Sequence, residues 1–266
     1  MSHKNIIVDR KDHLLIVTIN RPKALNALSP ETNFEMERVF NDFENDDDLW
    51  VAILTGTGDR AFSVGGDIKA MSRAAETGTE YLIPKTGYAG LTERFTCNKP
   101  IIAAVNGMAL GGGFEIALAC DLVVAADHAT FGLPEPLIGA VAYAGGMHRL
   151  PRQIGLKPAM ELLLSSVPIS AEKAQTLGLV NRVVPLEELM ASAQNLARLI
   201  LKGAPISIQA TKQCVTQGLN FPTLEDAMKA QTEKQYDMLD KMYGSHDVIE
   251  GITAFIEKRP PKWEGS

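Results

Sequence analysis

Pro100-Ile-Ile-Ala-Ala-Val-Asn-Gly107, Leu110-Gly-Gly-Gly-Phe-Glu115 and Asp121-Leu-Val-Val-Ala-Ala126 decide the fold. The first and third runs are apolar and contain β-branched residues over the length of a strand, which predicts strands buried on both faces. Between them, Gly113 to Ala119 is a run of small and apolar residues that predicts a short, closely packed helix. Strand, glycine turn, helix and strand again is a βαβ rhythm, and it recurs upstream. His13-Leu-Leu-Ile-Val-Thr-Ile-Asn20 reads as a strand and Pro30 to about Phe43 as a helix. Val51-Ala-Ile-Leu-Thr-Gly56 reads as the next strand. Ser29 followed by Pro30 is a good helix start, because proline is pre-set for the first helical position. The core is therefore α/β.

Beyond Gly178-Leu-Val-Asn-Arg-Val-Val184 the pattern changes. Leu186, Leu189, Met190, Ala193, Leu196, Ala197 and Ile200 recur at helical spacing. Thr223-Leu-Glu-Asp226 has the form of a capping box and predicts a long polar helix. Ser245 opens another, with Ile249, Ile252, Phe255 and Ile256 on one face. We divide the chain into a core over residues 1-200 and a helical region over 201-266 that serves as a lid or an oligomer contact. Ala74 to Gly90, rich in Gly, Thr and Ala, is expected to be a mobile loop.

Of the 266 residues, 45% are hydrophobic and 22% charged, enough apolar content for one large folded domain. The 26 Lys and Arg against 32 Asp and Glu form no long run of one sign, so the basic footprint of a nucleic-acid binder is missing. Met1-Ser-His-Lys-Asn leads straight into a strand-like run, without a signal-peptide pattern, and no apolar stretch has membrane-spanning length; the expected location is the cytoplasm. Cys97, Cys120 and Cys214 lack Cys-x-x-Cys spacing and read as reduced packing thiols.

Familiar catalytic signatures fail. Gly111-Gly-Gly-Phe-Glu-Ile116 has Ile116 where a dinucleotide fingerprint needs glycine, and Gly113-Phe114 replaces the Lys-Ser or Lys-Thr end of a phosphate loop. Ala61-Phe-Ser-Val-Gly65 misses the nucleophile elbow by one glycine, and His3, His13, His128, His148 and His246 make no metal-spaced pair. What remains is two glycine-rich strand ends, Ser63-Val-Gly-Gly-Asp67 and Leu110-Gly-Gly-Gly-Phe-Glu115. Such turns let a ligand approach the main chain, and a helix starting there aims free N–H groups at it. Two of them can supply two donors to one developing oxyanion. Glu115 falls in an otherwise apolar helix, where burying an unpaired carboxylate is costly. Glu135 sits in Pro134-Glu-Pro136, which predicts extended backbone and a fixed side-chain direction. Two carboxylates beside an oxyanion site can divide a hydration reaction, one activating water and the other passing a proton to the α-carbon.

At these residues the chain resembles the crotonase, or enoyl-CoA hydratase, superfamily, from Leu15 to Trp263. The matching pieces are Asn20-Arg-Pro-Lys-Ala-Leu-Asn26, Ala61-Phe-Ser-Val-Gly-Gly-Asp-Ile68, Lys99-Pro-Ile-Ile-Ala-Ala-Val-Asn-Gly107 with Ala109-Leu-Gly-Gly-Gly-Phe-Glu115, and Phe131-Gly-Leu-Pro-Glu135; Phe255-Ile-Glu-Lys-Arg259 matches the tail. Phe34-Glu-Met36, Tyr88-Ala-Gly-Leu-Thr-Glu93 and Gly112-Gly-Phe-Glu115 look similar to crotonobetainyl-CoA hydratases of carnitine metabolism.

The resemblance implies a crotonase-like spiral of ββα repeats with a helical C-terminal trimerisation region, assembled as a homotrimer or a dimer of trimers. It implies addition of water across a 2-enoyl-CoA, with Glu115 and Glu135 as acid and base and the amides of Gly66 and Gly112 as the oxyanion hole. Lys23, Ala24, Leu25, Ala61, Gly65, Asp67 and Ile68 would line the coenzyme A path, and Phe255 and Lys258 would approach the coenzyme A of a neighbouring subunit. Coenzyme A belongs to the substrate, and no separate cofactor or metal is expected. Enoyl-CoA isomerisation, acyl-CoA hydrolysis and non-catalytic binding on the same fold are the alternatives.

The chain departs from the resemblance at Ala142-Tyr-Ala-Gly-Gly146, where many hydratases read Pro-Gly-x-Gly-Gly. Tyr143 either reshapes the acyl pocket or points into the core or an interface. Pro136 can shift Glu135. His148 and Arg149 read as a satisfied surface pair.

Overall fold

The computed structural model describes residues 3–266. Its strands are β1 (Ile6–Lys11), β2 (Leu14–Ile19), β3 (Val51–Gly56), β4 (Ala61–Ser63), β5 (Ile101–Val105), β6 (Met108–Leu110), β7 (Leu122–Ala126), β8 (Thr130–Gly132), β9 (Ile169–Ser170) and β10 (Arg182–Val184). They form two sheets, of order β1-β2-β3-β5-β7-β10 and β4-β6-β8-β9. Apart from antiparallel β1 on β2 and β9 on β8, every pairing is parallel.

The helices are α1 (Pro30–Asn45), α2 (Ile68–Thr77), α3 (Gly112–Ala119), α4 (Gly146–Ile154), α5 (Leu156–Ser165), α6 (Ala171–Thr176), α7 (Leu189–Ile200), α8 (Pro205–Gly218), α9 (Leu224–Thr232), α10 (Asp237–Tyr243) and α11 (His246–Glu257). After β1, β2 and α1, turns of the spiral send one strand to the large sheet and the next to the small sheet before a helix returns the chain. The sequences β3-β4-α2 and β5-β6-α3 are two such turns. None of these helices is long and apolar enough to cross a membrane.

The predicted two-faced burial of the central strands holds. Along β3, Ala52 and Leu54 join the main core with Phe40, Phe62 and Phe114, while Val51 and Ile53 face Leu189, Ala193 and Ala197 of α7. Strand β5 divides the same way, with Ala103 and Val105 on the first side and Ile102 and Ala104 on the second. That alternation explains why each strand reads as a continuous apolar run. Helix α1 starts where expected, with the Ser29 hydroxyl accepting the Thr32 N–H at 3.4 Å.

Three expectations are corrected. Ala74 to Gly90 is not one loose loop: α2 takes its first residues, and the segment around Gly90 is fastened to α1. There Thr86 donates to Glu37 at 2.8 Å, the Ala89 N–H donates to Asn33 Oδ1 at 2.8 Å and Arg94 reaches Glu44 at 2.6 Å. The helix opened by Thr223 is short, because Lys234 adopts a left-handed φ of 59° and splits the expected helix into α9 and α10; the Thr223 cap itself forms, accepting the Asp226 N–H at 3.1 Å. Glu135 does not lie in extended backbone. Residues Glu135–Ile138 make a single 3-10 turn, in which the missing N–H of Pro136 falls where a helical start leaves its donors free.

Candidate active site

Two glycine-rich turns meet at the junction between the sheets. Strand β4 leads into Val64-Gly-Gly66 and then α2, while β6 leads through Gly111 into α3. Their approach is so close that a Cβ on Gly113 would stand 2.0 Å from the Ser63 carbonyl oxygen, so only glycine fits there. A Cβ on Gly112 would lie 3.7 Å from the Gly66 nitrogen, which places the two predicted donor amides side by side. Among the described residues neither the Gly66 nor the Gly112 N–H donates to a protein acceptor. Gly112 is the first residue of α3, so its N–H is one of the free donors of a helix start.

Buried side chains hold the first turn in shape. Asn26 donates to the Ala61 carbonyl at 2.7 Å and to Thr57 at 3.0 Å, and Asn106 accepts the Gly56 N–H at 3.0 Å while donating to Gly58 at 2.7 Å. Ser63 donates to the Asn26 carbonyl at 2.9 Å and accepts the Gly65 N–H at 3.2 Å. Leu28 N–H binds the Gly65 carbonyl at 2.8 Å and the Leu28 carbonyl accepts the Asp67 N–H at 3.1 Å. The Asn20 to Asn26 motif thus acts through the backbone of the glycine turn.

The predicted carboxylates arrive from opposite directions. Glu115 is only 3% exposed, in the first turn of α3, and its Oε1 accepts the Gly146 N–H at 2.8 Å from the start of α4. Burial pushes its pKa up to about 7; the nearby charge of Glu135 adds to the rise, and the Gly146 and Ala144 backbone N–H groups oppose it. Glu135 is raised from its ordinary value by burial, and its Oε2 is buried without a hydrogen-bond partner. Its other oxygen lies 3.0 Å from where a Cβ on Gly111 would be. Gly111 has φ 54° and ψ −129°, a conformation that effectively requires glycine. Both carboxyl groups therefore sit at the mouth of α3, beside the free Gly112 amide.

Other predicted residues group around this centre unevenly. Lys23 and Ala24 form a short 3-10 turn, and Leu25 follows with φ 51°. The Leu25 carbonyl accepts the Val64 N–H at 3.3 Å, which ties this turn to the glycine turn. Ala61 is buried in β4 and Gly65 adopts φ 82°. Asp67 caps α2 and pairs with Arg21 at 2.8 Å. Burial alone would raise the Asp67 carboxyl, but Arg21 and the Ala70 N–H hold it below the usual range. Ile68 is exposed at the start of α2. Phe255, 85% exposed, and Lys258 stand on and just after α11, in the C-terminal helices.

Several neighbours escaped the sequence reading. The Tyr88 side chain lies beside both glycines, with its hydroxyl 3.0 Å from the Cβ position of Gly66 and its Cδ1 3.6 Å from that of Gly112. The Met71 methyl closes the same side of Gly66. Arg149 is not half of a surface pair: His148 is exposed, whereas Arg149 turns inward, donates to the Thr92 carbonyl at 2.7 Å and places its charge near Glu115. Tyr143 is 82% exposed in this chain and so does not point into the subunit core. The only signal for Tyr88 lay in its motif likeness; for Arg149 there was none. Among the described residues no group of three or more His, Cys, Asp or Glu is arranged to hold a metal.

Residues 9–266 match the family described as enoyl-CoA hydratase/isomerase. Carnitinyl-CoA dehydratase of Escherichia coli strain K12 is 41% identical over 262 residues, covering 98% of this chain and 99% of the relative. The crystal structure of an enoyl-CoA hydratase from Mycobacterium tuberculosis H37Rv superposes with a TM-score of 0.89 at 38% identity, covering 98% of this chain and 99% of the other. One from Mycobacterium marinum gives 0.89 at 39%, with the same coverage. From β1 to the C-terminal tail, then, the chain belongs to the enoyl-CoA hydratase/isomerase family and has the crotonase fold.

Proposed function

We propose that the protein is a hydro-lyase that adds water to, or removes it from, an acyl thioester of coenzyme A. The observation that carries this reading is the meeting of two free amides, Gly66 and Gly112, with the buried carboxyl of Glu115 and the half-buried carboxyl of Glu135. The thioester carbonyl accepts from both amides, which stabilises the enolate formed when water adds to the β-carbon. One carboxylate takes a proton from that water as its oxygen bonds to carbon, and the other carboxyl delivers a proton to the α-carbon. Dehydration runs the same transfers backwards. Isomerisation needs no bound water, and thioester cleavage would leave free coenzyme A, so product analysis separates the three.

Lys23, Ala24, Leu25, Ala61, Gly65, Asp67 and Ile68 border the glycine turn and are our proposed coenzyme A contacts. Phe255 and Lys258 are proposed to reach the coenzyme A of a second subunit. Leu137, Ile138, Tyr143, Ile252 and Phe255 are large apolar side chains left exposed. Their number supports a homotrimer or dimer of trimers through which they are covered, with residues 201-266 as a principal contact region. A cytoplasmic location fits a reduced set of cysteines.

The likeness to carnitinyl-CoA dehydratases favours a narrower reading, in which the preferred acyl group is carnitinyl or its dehydrated counterpart. A panel of short, branched, aromatic and carnitine-derived thioesters tests both readings. A glutamine at Glu115 or Glu135 should lower turnover about a hundredfold to ten-thousandfold, and near-normal hydration by both variants would overturn the assignment.

A further inference from the structure

Among the described residues, Tyr88 lies beside both Gly66 and Gly112. Its ring runs from beside Gly112 to beside Gly66, and its hydroxyl ends 3.0 Å from the Cβ position of Gly66. Among the described residues that hydroxyl makes no hydrogen bond with protein, and the side chain is half-buried. A phenol hydroxyl that binds no protein group, held beside two equally unpaired N–H groups, is free to share one acceptor with them.

The backbone around Tyr88 is built to hold it there. Its N–H donates to Thr92 Oγ1 at 2.9 Å, and the next residue, Ala89, is fully buried with φ 55° while donating to Asn33 of α1. A left-handed alanine is strained and persists only where surrounding contacts enforce it. Gly90 packs directly on Glu37, so that a Cβ there would stand 2.5 Å from the Glu37 Cα. Helix α1 therefore fixes the phenol before any ligand arrives.

We propose that Tyr88 is a third hydrogen-bond donor of the oxyanion hole, its hydroxyl reaching the thioester oxygen alongside the Gly66 and Gly112 amides. Burial, with the charges of Glu115 and Glu135, pushes its pKa up to about 12, so the hydroxyl keeps its proton throughout the working range. No bond to Tyr88 forms or breaks; it donates to the oxygen more strongly as the enolate charge develops. This inference rests on thioester binding at the site proposed above.

The test uses Tyr88→Phe, which keeps the ring and removes only the donor. Turnover of a 2-enoyl-CoA should fall about a hundredfold with KM changed little, since an oxyanion donor acts mainly on the transition state. A second readout avoids turnover: the carbonyl stretching frequency of bound butyryl-CoA, a saturated thioester that cannot be hydrated. Wild type should shift it below its value in water, and Tyr88→Phe should recover part of that shift. Equal shifts in the two proteins would overturn the role of Tyr88 while leaving the site intact. Absence of any shift in wild type would overturn the thioester site itself, and with it this inference.

Discussion

Replacing Glu115 by glutamine should alter folding stability in a way that depends on pH. In the folded protein the Glu115 carboxyl titrates near 7, against an ordinary value of 4.5. The folded state thus holds the proton more tightly than the unfolded chain, and ionisation of the buried group opposes folding. Below pH 4.5 the carboxyl is protonated in both states and imposes no ionisation penalty. The penalty grows as pH rises from 4.5 to 7 and is complete above 7. A difference of that size corresponds to about 3 kcal/mol. Glutamine keeps the shape and an oxygen for the Gly146 N–H but cannot ionise, so the variant escapes the penalty. Denaturant unfolding at fixed protein concentration should therefore show Glu115→Gln gaining on wild type by about 3 kcal/mol between pH 4.5 and pH 8, whatever constant offset the amide introduces. A pH-independent difference, or wild type gaining on the variant as pH rises, would refute the assignment of Glu115 as a buried, high-pKa acid.

Arg149 lowers the Glu115 pKa through its charge, so Arg149→Met should raise it and move the limb of the kcat/KM profile that Glu115 sets to higher pH; unmoved limbs contradict this coupling. Gly113→Ala sets a methyl against the Ser63 carbonyl and should cost about 1–3 kcal/mol by overpacking while reducing turnover, because both oxyanion turns must separate; unchanged stability and activity would show that the close approach is dispensable. Tyr143→Ala should loosen the assembly, seen in sedimentation as a lower mass at equal concentration, and an unaltered mass would remove Tyr143 from the proposed subunit contact.

How much of this was legible depended on the range of the interactions. β3, β5 and β7 could be read because two-sided burial writes itself into consecutive residues. Glu115 stood out because a carboxylate amid small apolar residues needs a reason. The glycines were visible as glycines, but their mutual approach was not, since Gly65 and Gly112 are adjacent only after two turns of the spiral close. Tyr88 reaches the site because Asn33 and Glu37, far upstream in α1, fix its loop; composition alone made that loop look mobile. Arg149 was misplaced for the same reason, as its partner Thr92 lies far from it in sequence. Prolines flanking Glu135 pointed to a rigid segment but not to the 3-10 turn that their positions also permit.

The central claim is tested most directly by incubating the protein with crotonyl-CoA in water enriched in heavy oxygen and determining the product by mass spectrometry. The account predicts 3-hydroxybutyryl-CoA carrying one heavy oxygen on the β-carbon, formed by wild type and strongly suppressed in both Glu115→Gln and Glu135→Gln. Free coenzyme A, a shifted double bond without added oxygen, or undiminished labelling in the two variants would contradict it.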